Sequence, residues 1–230
     1  MYLAIDNCTN FASVCLYDNG ILYENTWIAK ERHTTTTLPN IEKAMLSLGR
    51  NFNELKGIVC AKGPGSFNGT RAGMSLSIGL GMSLNIPVIF VSVMEANALL
   101  FKNSGLNIVC LMNAGRGEVY AAAYQSLNGM LVTTQEEYID TLDEIINKIK
   151  FPTIFCGEYL NQTSAIIKEK LGHTAIIATP AQNMRRASFL IEASLSKFQE
   201  TTYEAPSPLY LRKPPITLSN KTVSLPRQDI

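Results

Sequence analysis

The chain carries one pattern twice. Its first half opens with YLAID, FASVCLY and ILYENTWIA, three short apolar or alternating runs, the last two separated by Asp18, Asn19 and Gly20. Runs of this length around an Asn-Gly turn predict a β-meander. A helix is expected over residues 36–47, where the threonine run offers N-caps, Pro39 fits a first turn, and Leu38, Ile41, Met45 and Leu48 recur at helical spacing. GIVCAKG then reads as a buried strand, residues 70–84 as a helix, VIFVS as a strand and residues 94–102 as another helix. The second half repeats the order. NIVCLMN, EVYAAAYQS and MLVTTQEEYI form a meander with its turn at Leu127, Asn128 and Gly129, and TLDEIINKIK, TIFCG, YLNQTSAIIKEKL, TAIIA and RRASFLIEASLSKFQ alternate helix with strand. The two turns lie about 109 residues apart, so a tandem of two βββαβαβα units is expected rather than one irregular domain.

The junction falls at residues 103–106, which divides the chain into an N-terminal lobe over 1–103 and a C-terminal lobe over 104–212. Residues 213–230 contain three prolines and little apolar content, and a mobile tail is expected there. The duplicated pattern resembles the actin, sugar-kinase and Hsp70 superfamily. That resemblance implies an α/β, two-lobed actin-like (ribonuclease H-like) fold, each lobe a mixed sheet with helices, in which superfamily members bind ATP between the lobes.

Bulk properties narrow the function. A net charge of +1 with pI near 7.6 supplies no broad basic field for unaided nucleic-acid binding. Only 17% of residues are charged against 46% hydrophobic, a charge-poor surface that suits cover by a partner. Cys8, Cys15, Cys60, Cys110 and Cys156 are odd in number and mostly set in apolar runs, the pattern of reduced core thiols. The N-terminus shows no basic leader and no uncharged run reaches about 18 residues, so a cytoplasmic location without membrane contact is expected.

The stretch AKGPGSFNGTRAG, residues 61–73, sits where a phosphate loop would. It has neither GK[ST] nor GxGxxG spacing, and Pro64 removes an N–H. A weak nucleotide or anion contact at Asp6, Gly65 and Ser66 remains open beside the plainer reading of a tight strand-to-helix turn. The helix that follows is more informative, because residues 72–87 include no charged side chain. A helix apolar all round must be covered all round. Gly69, Gly73, Ser77 and Gly81 recur every fourth position, and interior glycines cost roughly 1 kcal/mol each against alanine unless close backbone approach offsets them. The cover is either a foreign chain or the rest of this one.

GPGSFNGTRAG is similar to the GPGSFTGLRIG signature of the bacterial TsaB (YeaZ) family. AID at 4–6, RHTTTTLP at 32–39, IPV at 86–88, RGEVYAA at 116–122 and PLYLR at 208–212 follow in family order, covering the chain short of its tail. Asn68, Thr70 and Ala72 depart from the usual Thr, Leu and Ile, and Asn113 stands for an acid. The resemblance implies a subunit without independent catalysis. Its first-lobe helices would pack against the transferase TsaD as a heterodimer, or against a second copy as a homodimer, and TsaE would join a larger complex. On that reading His33, Leu38, Arg71, Gly73, Met74, Ser77, Leu80 and Gly81 form the partner interface. The complex would make threonylcarbamoyladenosine at position 37 of tRNAs reading ANN codons, with tRNA met only through the complex. This chain would hold no cofactor of its own, ATP and a divalent metal being expected in the partner complex.

Two enzyme readings serve as alternatives. An independent ATP-binding enzyme would need glycines in the first hairpin, yet DNCTNFASV offers Asp6 and the bulky Asn10 and Phe11. A metallopeptidase-like protein would need paired ligands. TsaD relatives carry HMEGH where this chain has VMEAN at 93–97, and His33 and His173 are its two histidines. Arg116 and Glu118 stand two apart, a same-face spacing if both lie in a strand; a structural turn at RGEVY is the preferred reading.

Overall fold

The computed structural model describes residues 1–30, 32–195, 197–199 and 209. The expected tail over 213–230 and most of PLYLR lie outside the described residues. The first meander is β1 (Tyr2–Asp6), β2 (Phe11–Tyr17) and β3 (Ile21–Ile28), followed by α1 (His33–Ser47), β4 (Gly57–Ala61), α2 (Phe67–Leu84), β5 (Val88–Val91) and α3 (Val93–Leu99). The second is β6 (Asn107–Gly115), β7 (Glu118–Leu127) and β8 (Met130–Thr141), followed by α4 (Leu142–Asn147), β9 (Thr153–Cys156), α5 (Leu160–Leu171), β10 (Ala175–Ile177) and α6 (Ser188–Ser194). The sheet orders β3-β2-β1-β4-β5 and β8-β7-β6-β9-β10 are the same order, so the repeat in the sequence is a repeat in topology. Both meander turns use left-handed asparagine, Asn19 at φ +57° and Asn128 at φ +51°, a conformation in which the Asn side chain can hydrogen-bond locally.

Strand alternation sends side chains to two different cores. Leu3, Ile5, Val14, Leu16 and Ile58 face α1 and α2, where they meet Ile41, Ala44 and Met45. Ala4, Cys15, Val59 and Val91 face the other way and join Ile108, Leu111, Phe155 and Ile191 in one cluster shared by both sheets. The helices between the sheets are exchanged: α3, from the first half, packs on β6, β7 and β8, while α6, from the second, packs on β1, β2, β4 and β5. Leu209 also returns to the first half, its N–H donating to Lys62 O at 2.8 Å.

Two helix starts differ from expectation. α1 begins at His33, three residues early, which places Pro39 inside the helix on its exposed side rather than in the first turn. α2 begins at Phe67 because Ser66 caps it, the Oγ accepting from Gly69 N at 3.3 Å. Among the described residues no helix is long and apolar enough to cross a membrane.

Candidate functional site

The two halves meet at the carboxyl end of β1. Asp6 is 5% exposed and both its oxygens are engaged: Oδ1 accepts from Cys8 N at 3.0 Å, and Oδ2 accepts from Arg185 Nε at 2.9 Å and from Nη2. Arg185, 3% exposed, also turns Nη1 toward Glu158 Oε1 at 3.4 Å, and that oxygen accepts from Thr9 Oγ1 at 2.9 Å. Burial alone would lower the guanidinium's pKa, but Asp6 and Glu158 together raise it above its usual value, so the cation is fixed. Thr26 Oγ1 and Ser13 Oγ bind the backbone on either side of Arg186, at Arg185 O and Ala187 N, and complete a latch between the lobes.

Beside the latch lies a cavity of about 440 Å³, lined by Thr9, Asn10, Phe11, Gly65, Ser66, Asn113 and Glu158 among others. Ser66 N donates to Cys8 O at 2.5 Å, Ser66 Oγ accepts from Gly69 N, and Glu158 contributes a carboxylate beside the amide side chains of Asn113, Asn161 and Gln162. Gly65 is a close-approach glycine, since a Cβ there would overlap Cys8 O. Of the three residues expected to make a weak anion contact, Asp6 is spent on Arg185 and the Ser66 amide on Cys8 O. The glycine loop is a strand-to-helix turn locked to the first hairpin.

The expected interface residues need a correction of face. Gly73, Met74, Ser77 and Gly81 are buried inside their own lobe. A Cβ on Gly69 or Gly81 would overlap Asn7 O or Val88 Cγ2, one on Gly73 would lie 3.2 Å from Asn7 Cβ, and Ser77 Oγ donates to Gly73 O at 2.8 Å. His33 is buried as well, while Leu38 and Leu80 are half-buried. The small-residue stripe thus seats α2 on the β1–β2 connection and β5. Of the eight, Arg71 alone is exposed, its guanidinium 3.8 Å above the Phe67 ring.

What faces outward on α2 is the half-buried Ala72 and the exposed Ser75, Gly79 and Met82, while the half-buried Ile78 packs against Cys60, Met74 and Phe90. Gly79 has open space where its Cβ would stand, so nothing among the described residues explains a glycine in mid-helix there. Met82 is 79% exposed, and Leu46 near the end of α1 is 81% exposed. The latch residues Arg185 and Glu158 were missed, Arg185 having no local signal beyond the Arg-Arg pair ahead of α6.

Elsewhere, Val93 is buried at the start of α3 and Asn97 turns its amide toward Cys110 Sγ at 3.9 Å. His173 is exposed after α5. Gly115, Arg116 and Gly117 all have positive φ, so RGEVY does open on a turn; Arg116 lies in that turn rather than in a strand, and the same-face spacing with Glu118 does not apply.

Two sheets of matching order, sharing one core through exchanged helices and closed by an interlobe ion pair, define a two-lobed actin-like α/β protein. Residues 25–221 match the family model described as TsaD, tRNA N6-adenosine threonylcarbamoyltransferase. The chain is 31% identical over 202 residues to the Bacillus subtilis tRNA threonylcarbamoyladenosine biosynthesis protein TsaB, covering 86% of this chain and 87% of the relative. It is 31% identical over 125 residues to the Escherichia coli protein of the same name, over 54% of each. A crystal structure of a Pseudomonas aeruginosa protein with similarity to peptidase YEAZ superposes with a TM-score of 0.73 at 20% identity, over 92% of this chain and 99% of that one. The chain belongs to the TsaB (YeaZ) family.

Proposed function

We propose that this chain serves tRNA threonylcarbamoyladenosine biosynthesis as a non-catalytic subunit that binds and supports a TsaD-type transferase acting at position 37 of tRNAs reading ANN codons. TsaE and tRNA meet it in the larger complex, and ATP and a divalent metal belong to the partner side. The observation that carries the reading is the outer face of α2, where Gly79 stands uncovered by any described residue among Ala72, Ser75 and Met82, with no charged residue over 72–87. A mid-helix glycine facing open space costs roughly 1 kcal/mol in the isolated chain, and close approach of a partner helix offsets it. The spent Asp6 weighs against the alternative of an independent ATP-binding enzyme.

The experiment is the native mass of the chain with and without its TsaD, for wild type and Gly79→Arg. Wild type is expected to form a one-to-one complex that Gly79→Arg abolishes while its circular dichroism stays native. A complex indifferent to Gly79→Arg contradicts the reading. A homodimer that Gly79→Arg dissolves would move the same face to self-association.

A further inference from the structure

We propose that His33 makes the α1–α2 face responsive to pH: the neutral imidazole holds the first turn of α1 against α2, and protonation releases that turn. Its consequence for assembly rests on the docking reading above; its physical basis does not.

His33 is the first residue of α1 and 4% exposed, and Asn7, on the β1–β2 connection, is 2% exposed. Among the described residues neither ring nitrogen of His33 has a hydrogen-bond partner, and neither has Asn7 Nδ2. Buried polar nitrogens are nearly always paired, so three unpaired at one junction set it apart. Three elements meet there. A Cβ on Gly69 of α2 would lie 3.1 Å from His33 Nε2, so the ring occupies the space that this glycine leaves. Asn7 Oδ1 accepts from Thr37 Oγ1 at 3.1 Å, tying α1 to the same connection, and Gly73 lies beneath the Asn7 side chain.

Among the described residues the charges around the ring are few. Asp6 on β1 attracts a proton to it, but that carboxylate is held by Arg185. Lys30 and Arg32 on the β3–α1 connection and Arg71 on α2 are exposed cations. The carbonyls of Thr9 and Lys30 favour the protonated ring without reaching hydrogen-bonding geometry to either nitrogen. Burial outweighs these attractions and sets the His33 pKa below the ordinary imidazole value. The released form therefore binds the proton more tightly than the packed form. Packing is complete above about pH 6.5, weakens as pH falls toward the packed-state pKa, and changes no further below it.

The test reads hydrogen exchange at the Thr35 and Thr36 amides, which bond to Arg32 O at 3.2 and 3.0 Å in the first turn of α1. In the full chain, protection corrected for intrinsic rate is expected to fall between about pH 7.5 and 5.5, the direction set by the lowered His33 pKa. His33→Phe and His33→Gln are each expected to abolish the fall. If both variants misfold, the imidazole signal of His33, assigned apart from His173, must titrate below the ordinary imidazole value, and protection in wild type must stop falling once pH passes below that midpoint. No fall in wild type, a fall that survives either folded variant, or protection that keeps falling well below the midpoint overturns the proposal. In a second arm, affinity for TsaD is measured at both pH values. Weakening at low pH that His33→Gln removes supports the link to assembly, and unchanged affinity overturns it. Absence of any complex at either pH refutes the docking reading, and the exchange data still decide whether His33 releases the turn.

Discussion

Arg185 and Asp6, 179 positions apart in sequence, share a buried ion pair, two guanidinium nitrogens donating to one carboxylate oxygen, that holds the second half of the chain against the first. Their side chains are 2% and 6% exposed, so neither charge can turn to water if the other is removed. Arg185→Ala is expected to cost about 3–5 kcal/mol, because it strands a carboxylate in a dry site. Removing both charges with Asp6→Asn and Arg185→Met is expected to recover most of the loss. Urea denaturation of the two single variants and the double variant closes the cycle, and a double variant as unstable as Arg185→Ala would contradict the pairing argument.

The glycines of α2 divide by the face they occupy. Gly81→Ala drives a methyl into Val88 and is expected to destabilise by roughly 1–3 kcal/mol, the usual range for overpacking. Gly79→Ala adds a methyl in open space and is expected to stabilise the isolated chain by about 0.5–1 kcal/mol through helix propensity. Thermal melts of both variants check the opposite signs.

Glu95 supplies a pH dependence of the whole fold. Burial raises its carboxyl pKa; Lys197 and Lys62 oppose this, while Glu137 and Glu136 add to it. The folded state therefore binds this proton more tightly than the unfolded state, and Glu95 costs stability as pH rises from the ordinary glutamate value through the raised one. Glu95→Gln is expected to be more stable than wild type at pH 7, with the advantage gone near about pH 4. Paired denaturation curves at the two pH values measure it.

All five cysteines are buried as free thiols, and burial pushes Cys15 and Cys60 up to about 12. Since the thiolate is the reactive form, native protein at pH 8 is expected to resist alkylation by iodoacetamide at every cysteine and to react at all five in urea. Mass spectrometry of the intact chain counts the adducts. Rapid native labelling of Cys60 would mean that the β4–α2 packing opens readily.

The strands were legible because alternation along β1 and β4 and the two Asn-Gly turns are local patterns with a local cause. The start of α1 was not, since Arg32 offers no side-chain cap hydrogen bond and His33 enters the helix by burying its ring beside Asn7 and Gly69. Ser66 caps α2 at a start three residues before the expected helix begins, a signal the reading of 61–73 as a turn passed over. Thr70 reads as a start only if Gly69 is taken as turn rather than as the notch that receives His33.

The amino-acid sequence by itself determined the doubled βββαβαβα order and the absence of charge along α2. Which side of α2 is inner was decided only by tertiary structure. A helix orients on its sheet by the contrast between an apolar and a charged face, and over residues 72–87 there is no charge to set that contrast; Asn7 and Val88 set it by contact instead. The latch is likewise tertiary, because an attraction across 179 positions exists only after both sheets have brought Asp6 and Arg185 together.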